Sequence, residues 1–394
     1  MKTNFKVATL ILATVALAAC GNTDSRPKAA LITLHDSSST YDKNFIDAFK
    51  AACDKMGYKA VIRTGVPEGE QCQTVASELA DSGCEFIFAD SFGHEDHMIE
   101  AAKNFKNVEF AHATGTKAHT AKLANFHNAF ANIYEGRYLA GVAAGLKLQS
   151  MANASHKIGY VGAYTYAEVI SGLTSYYLGV KSIVEDVTMD VTFTGEWYEE
   201  TKERNAAAAL IEGGCSIISQ HADSWGAPTT CETAGVPNIT YNGSTESRCE
   251  NTYVISSKIN WEPYFEYALG QVKEKKAIVN DWCEGLGSTL SNGAVSMGEP
   301  GKKGAVEGTK AKLEEVAANL RNGSLKVFDC SKFTVKGEHL TTYMADVDAD
   351  DAYTKDTEAI KTVNGVTYFA ESEFRSAPYF DIQIDGINFL NSAF

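Results

Sequence analysis

The chain has 394 residues, 44% hydrophobic and 22% charged, with 35 Lys and Arg against 50 Asp and Glu for a formal net charge of −15. That length fits two domains of ordinary size, and that composition is of a folded rather than a disordered chain. The acidic balance argues against a nucleic-acid partner, whose binding rests on a basic surface, and against the body lying on anionic lipid.

In chain order, Lys2 and Lys6 precede an apolar run, Val7 to Ala19. The run is too short to span a bilayer, which needs roughly 20 residues. Leu17-Ala18-Ala19-Cys20 closes it. Small residues stand there as at a secretory cleavage site, and a cysteine follows, the pattern of a bacterial lipoprotein. The expectation is a signal peptide over 1–19 cleaved before Cys20, lipid on Cys20, and a polar tether over 20–28. Several acyl chains would then anchor the body to the outer face of the cytoplasmic membrane. An ordinary signal peptide with an incidental cysteine is the alternative.

From residue 29 short β-rich runs alternate with helical segments. Strands are expected at Ala29–Leu34, Lys59–Thr64, Cys84–Asp90, Val108–His112 and Leu123–Phe126. Most are apolar along their length, as buried parallel strands are. Helices are expected at Asp42–Met56, where Phe45, Phe49, Ala52, Cys53 and Met56 make one apolar stripe, and at His97–Phe105 and Gly136–Leu148. The rhythm then repeats. Strands are expected at Lys157–Ala163, Val187–Thr194, Cys215–Gln220, Asn238–Tyr241 and Tyr253–Ser257, with helices at Ala167–Ile183, Glu200–Ile211, Ala227–Ala234 and Tyr264–Val279. Two sets of βα units predict an α/β protein with two similar lobes, parallel sheets and a cleft between them. The first lobe is assigned 29–150 plus about 259–282, the second 155–257 plus about 284–330. A helix over Thr309–Leu320 precedes an extension, 331–394, expected to pack on the lobes.

Besides Cys20 the chain carries Cys53, Cys72, Cys84, Cys215, Cys231, Cys249, Cys283 and Cys330. Outside the cytosol an even number allows bridges. Cys53 or Cys72 with Cys84, and Cys231 with Cys249, are the same-lobe pairings considered; small buried thiols are the alternative. No C-x-x-C pair occurs, which argues against a zinc ribbon or a thioredoxin-type site.

Enzyme signatures are scarce: no G-x-S-x-G, no H-E-x-x-H and no complete Walker loop. Gly298 to Lys303 has the wrong spacing for a phosphate loop and reads as a surface turn. His94-Glu95-Asp96-His97 follows a strand end and reads as a helix start more readily than as a metal site. No catalytic residue, metal or cofactor is therefore expected. What stands out is aromatic and amide residues beyond the carboxyl ends of predicted strands, where such sheets bind ligands. Phe92, Trp197, Tyr198, Trp225, Tyr241 and Asn242 all fall there. Aromatics facing water need a reason, and holding a flat ligand supplies one. The alternative is that they staple the lobes or pack beneath loops.

Several strings carry a resemblance. Ala89-Asp90-Ser91-Phe92-Gly93, Ala111-His112-Ala113-Thr114-Gly115, Ile133 to Gly141, Lys157 to Gly162, Glu168-Val169-Ile170, Gly214 to Ser224 and Tyr241-Asn242 resemble, in order and spacing, the BMP (basic membrane protein) family of ABC-transporter substrate-binding lipoproteins. The likeness runs from about residue 29 to about 285, with Ala377-Pro378-Tyr379-Phe380 fitting later. It implies a type I periplasmic-binding fold, with two Rossmann-like lobes, three hinge crossings and a ligand clamped between. It also implies a purine nucleoside or base as cargo for an importer with permease and ATPase subunits. Carried over by position, Phe92 and Trp197 would lie against the base, and Tyr41, Glu168, Asp223 and Asn242 would hydrogen-bond the ligand. The first loop, Asp36 to Phe45, departs from the family pattern, and Phe45 is read as helix core. Ser244 stands where an acidic residue is common and Lys258 falls off the lysine of the nucleoside-binding branch, so a purine is better supported than a nucleoside. The protein is expected to work as a monomer. Rival expectations are a sugar or signalling molecule in the same fold, a receptor or adhesin using the extension, and an enzyme.

Overall fold

The computed structural model describes residues 24–347 and 355–394; the expected signal peptide and the lipidated Cys20 lie outside them. The two sets of βα units form two separate sheets. The first runs Asp281–Glu284, Phe126–Ala131, Glu109–Ala113, Cys84–Ala89, Lys28–Ile32, Lys59–Arg63, all parallel. The second runs Val295–Met297, Tyr253–Ile259, Asn238–Tyr241, Ile218–His221, Lys157–Gly162, Thr188–Phe193, Ile387–Phe389, parallel except for Val295–Met297. Within each, the first five strands of the set take the doubly wound order 2-1-3-4-5. The chain passes between the sheets at Asn132, between Ile259 and Glu262, and between Glu284 and Val295.

Helix Thr40–Met56 opens with Ser39, whose hydroxyl accepts from the Asp42 amide, and ends on Gly57 in the left-handed region. Phe45 is fully buried on it and stacks on Trp261 at 4.4 Å, so it is core, as its stripe implied.

Three expectations are corrected. The strand placed at Leu123–Phe126 lies at Phe126–Ala131. His127 and Asn128 break its apolar run, and their polarity is absorbed inside: His127 Nε2 lies 2.8 Å from Glu109 Oε2, and Asn128 Oδ1 accepts from the Ala118 amide at 2.7 Å. A helix at Glu70–Asp81 was not anticipated; its buried stripe of Cys72, Ala76, Leu79 and Ala80 is mostly small residues. Helix Ile133–Ser150, assigned to the first lobe, packs instead on helix Ala167–Lys181 and against Tyr253–Ile259 of the second. The reason is two facing glycines. A Cβ on Gly141 would sit 2.1 Å from the Tyr176 carbonyl oxygen, and one on Gly179 would sit 2.1 Å from that of Tyr138. The two backbones meet directly, an approach no side chain permits.

The extension packs into the second lobe. Phe380 stacks on Phe328 at 4.4 Å, and Ile387–Phe389 adds a parallel edge strand beside Thr188–Phe193. The extension also touches the first lobe, where Ser376 N donates to Asp281 Oδ2 at 2.8 Å. The eight cysteines among the described residues are free thiols, seven of them buried. None of the considered bridges is formed, and burial pushes Cys53, Cys72 and Cys231 up to about 12. No helix of the described residues is long and apolar enough to cross a membrane.

Candidate functional site

The carboxyl ends of both sheets face one another, and a chamber of about 390 Å³, counting space open to its mouth, lies between them. The first lobe contributes Tyr41, Asp42 and Phe92, the second Glu168, Trp197 and Asp223. Five of the six ligand-binding positions read from the sequence thus share one chamber. The sixth, Asn242, does not line it. Asn242 takes a left-handed φ of 64° after the strand and faces a neighbouring inter-lobe groove with Trp225, Arg248 and Lys258. A bridge separates the two spaces: Thr40 donates to the Asp223 carbonyl through N at 3.0 Å and Oγ1 at 3.2 Å. That bridge joins the lobes.

Each aromatic is held by its neighbours. Phe92 starts a single 3-10 turn after Cys84–Ala89. Glu68 Oε1 accepts from Ser91 Oγ at 2.6 Å and Gly93 N at 2.8 Å, bracketing it on both sides. Phe92 is 43% exposed and stacks at 5.4 Å on Tyr166 of the other lobe. Tyr166 stacks on Tyr164 at 5.0 Å, and Trp197 meets Tyr164 edge-on at 5.1 Å. Tyr164 and Tyr166 were not singled out from the sequence, although both fall in a strand-end loop where an aromatic is a signal.

Carboxyls crowd the floor. Asp42 accepts from the His35 amide at 2.7 Å. Buried Asp90 accepts from the Leu34 amide at 3.2 Å, and burial, then the Asp42 charge, raises it well above the carboxylate range. Asp223 is raised in the same way by burial, then by Asp42. Protonated, such a carboxyl donates as well as accepts. Tyr41 spends its hydroxyl on the Asp90 carbonyl at 2.8 Å, so it offers the chamber its ring rather than a donor. Glu168 Oε1 lies 3.4 Å from His221 Nε2, and burial lowers His221 so that the ring is neutral. His221 packs edge-on against Tyr241 at 4.7 Å.

Behind Tyr241 stands Arg137, fully buried. Its Nη2 donates to Tyr160 Oη, Ser219 Oγ and the Gln220 carbonyl at 2.9, 3.1 and 3.2 Å. The Tyr241 ring lies 5.0 Å from its guanidinium carbon, with Tyr160 and Tyr176 slightly farther. This cation sits beneath a chamber whose described lining contains acids but neither Lys nor Arg. Such a site favours a neutral ligand rich in N–H donors over an anion.

The His94–His97 string does structural work. His94 Nε2 is 2.9 Å from the Val66 carbonyl, and Glu95 accepts from the Thr116 and Lys117 amides. Among the described residues no group of three metal-ligating side chains converges.

Residues 30–315 match a family described as Bmp, ABC transporter substrate-binding protein PnrA-like. The chain belongs to that family. Its members are extracytoplasmic solute-binding proteins that work with a small-molecule ligand and ABC transporter subunits. A purine-binding protein of Brucella abortus is 29% identical over 345 residues, covering 84% of this chain and 93% of its own. A putative ABC transporter glucose-binding protein of Haloferax volcanii is 31% identical over 202 residues, 51% of this chain and 49% of its own. An ABC transporter nucleoside-binding protein of Lactococcus lactis is 22% identical over 336 residues, 81% and 89%. Among solved structures, an ABC transporter solute-binding protein of Conexibacter woesei superposes with a TM-score of 0.62 at 18% identity, over 76% of this chain and 97% of that one. The fold is thus the periplasmic-binding fold of this BMP-family protein.

Proposed function

We propose that this BMP-family protein captures a purine, as base or nucleoside, in the chamber and delivers it to an ABC importer without altering it. The observation that carries the reading is that two aromatic rings from opposite lobes, Phe92 and Trp197, line one chamber with Asp42, Glu168 and Asp223 and with no Lys or Arg in the described lining. A flat heterocycle with several N–H donors suits that arrangement. Glu168 and Asp223 bond its edge, and Tyr41 adds a ring at the wall. Asn242 acts only on a ligand long enough to pass the Thr40–Asp223 bridge. Ligand contacts to both lobes stabilise the closed form, and only such differential contacts shift that equilibrium. The body works as a monomer tethered by lipid on Cys20 to the outer face of the cytoplasmic membrane, and the closed form docks on the permease.

The test is to purify the protein without its anchor, denature it, and identify any released molecule by mass spectrometry and ultraviolet absorbance. A purine supports the reading; a sugar overturns it. The sugar is the second reading because a relative is named glucose-binding. An empty protein goes to a thermal-shift screen, where no response to any purine also overturns it. Metabolic labelling with a clickable fatty acid, lost in Cys20→Ala, tests the anchor.

A further inference from the structure

The chain leaving strand Ile387–Phe389 runs along the carboxyl end of Thr188–Phe193 and reaches the loop that carries Tyr164 and Tyr166. Asn391 meets Phe193 with both ends of its amide: Oδ1 accepts from Phe193 N at 2.7 Å, and Nδ2 donates to the Phe193 carbonyl at 2.8 Å. Two residues on, Ala393 brackets Thr165 in the same way. The Ala393 carbonyl accepts from Thr165 N at 2.8 Å, and Ala393 N donates to Thr165 Oγ1 at 2.9 Å. Four hydrogen bonds thus tie one short segment to two loops of the second lobe.

Thr165 stands between Tyr164 and Tyr166, and Phe193 opens the loop that carries Trp197. Tyr164 and Tyr166 pack against Trp197 of the chamber wall, and Tyr166 is the ring that meets Phe92 across the cleft. Tyr166 and Trp197 make no hydrogen bond through their own side chains among the described residues, so backbone anchoring sets where they point. The family model matches residues 30–315, and this anchor lies beyond that matched stretch.

We infer that Asn391 and Ala393 are positioning residues for ligand retention: Asn391 pins the segment to Phe193, Ala393 fixes Thr165, and together they hold Tyr166 against Phe92 so that the chamber stays closed over its ligand. Ordering the loop in advance removes an entropic cost from closure, and the gain falls on the closed state, hence on release. The inference rests on a ligand being held in this chamber; it does not need that ligand to be a purine.

The experiment compares wild type, Asn391→Ala, Thr165→Val, Tyr166→Ala and the double variant Asn391→Ala/Tyr166→Ala. Adenine and guanosine are the probes, read by stopped flow. Asn391→Ala and Thr165→Val are each expected to raise the dissociation rate about three- to tenfold, the worth of one or two hydrogen bonds, with the association rate changed less than about twofold. Adding Asn391→Ala to Tyr166→Ala should change release little further, because both act through one contact. Unchanged release in Asn391→Ala, or additive effects, overturns the inference. A ligand-free readout stands beside it. Hydrogen exchange at Phe92–His94, in the other lobe, should quicken in Asn391→Ala; unchanged exchange there overturns the inference too. If wild type binds neither probe, the purine reading alone fails, and exchange still decides the role of Asn391. Thermal melting of the empty variants checks that each is folded.

Discussion

The two lobes share a strand order but hold their facing aromatics by different means. In the first, Phe92 is bracketed by Glu68, a carboxylate 24 residues upstream on a neighbouring loop. In the second, the Tyr164–Tyr166 loop is bracketed by Ala393, which lies 228 residues beyond Thr165 in sequence. The first wall is set as soon as its own βα units fold. The second is complete only when the extension has added its edge strand beside Thr188–Phe193. One architecture can therefore make one half of a cleft locally determined and the other dependent on distant chain.

The comparison is put at risk first at Trp197, the half-buried ring of the second wall. Trp197→Ala is expected to weaken purine affinity roughly tenfold or more, the loss of one stacking contact, with the melting temperature of the empty protein nearly unchanged. Calorimetric titration checks it, and unchanged affinity removes Trp197 from the site. Phe92→Ala should cost less, roughly three- to tenfold, because the ring is 43% exposed and gives up less desolvated contact. If Phe92→Ala proves the more damaging, the first lobe dominates the grip and the ranking of the walls is reversed.

Much of this geometry was legible in advance. The strand-end loops read from βα periodicity are the loops that line the chamber, because parallel strands bury their length and leave chemistry to their ends. Asn242 was placed by the same rule and missed the chamber. Its left-handed backbone and the Thr40–Asp223 bridge put it one compartment away, and neither is visible to a rule that counts strand ends. Helix Ile133–Ser150 was given to the wrong lobe because its two faces are both apolar and periodicity names no partner; the Gly141–Gly179 contact that decides it is a shape match between distant segments. His127 and Asn128 hid a strand because their polarity is satisfied by Glu109 and the Ala118 amide, which lie on other elements. The role of Arg137 was equally hidden: its counterparts are three tyrosines, the Ser219 hydroxyl and a carbonyl, so no charge pattern betrays it.

Smaller effects sharpen the contrast. Glu68→Ala removes both bonds that bracket Phe92 but leaves the ring in place. Purine affinity should fall about two- to fivefold, less than for Phe92→Ala, and its loss should be additive with that of Trp197→Ala, which lies on the other wall. A larger loss than Phe92→Ala would mean that Glu68 does more than orient one ring.

The smallest expected change in binding comes from Glu203, which supports the second wall from behind. Its Oε1 accepts from Ser224 N at 3.2 Å and Glu199 N at 3.3 Å, steadying the residue next to Asp223, while its buried Oε2 has no partner. Burial raises it from 4.5 to about 7. An acid raised on folding makes the folded state bind more protons, so its stability is full below the unfolded value and falls as pH rises toward the folded one. For Glu203 that loss runs from 4.5 to about 7. Glu203→Gln can keep both bonds on its amide oxygen and place its NH₂ where Oε2 stood, with no charge to bury. The variant should melt level with wild type near pH 4 and a few degrees above it near pH 7.5, each kcal/mol being worth roughly 1–2 °C in a chain of this size. Purine affinity should be unchanged at both pH values, because the support of Ser224 is retained. Melting curves that overlay at every pH would assign the acid-linked instability to Glu371, also raised to about 7 by burial in the extension, and would shift the pH-sensitive part of this lobe from the wall to the segment that buttresses it.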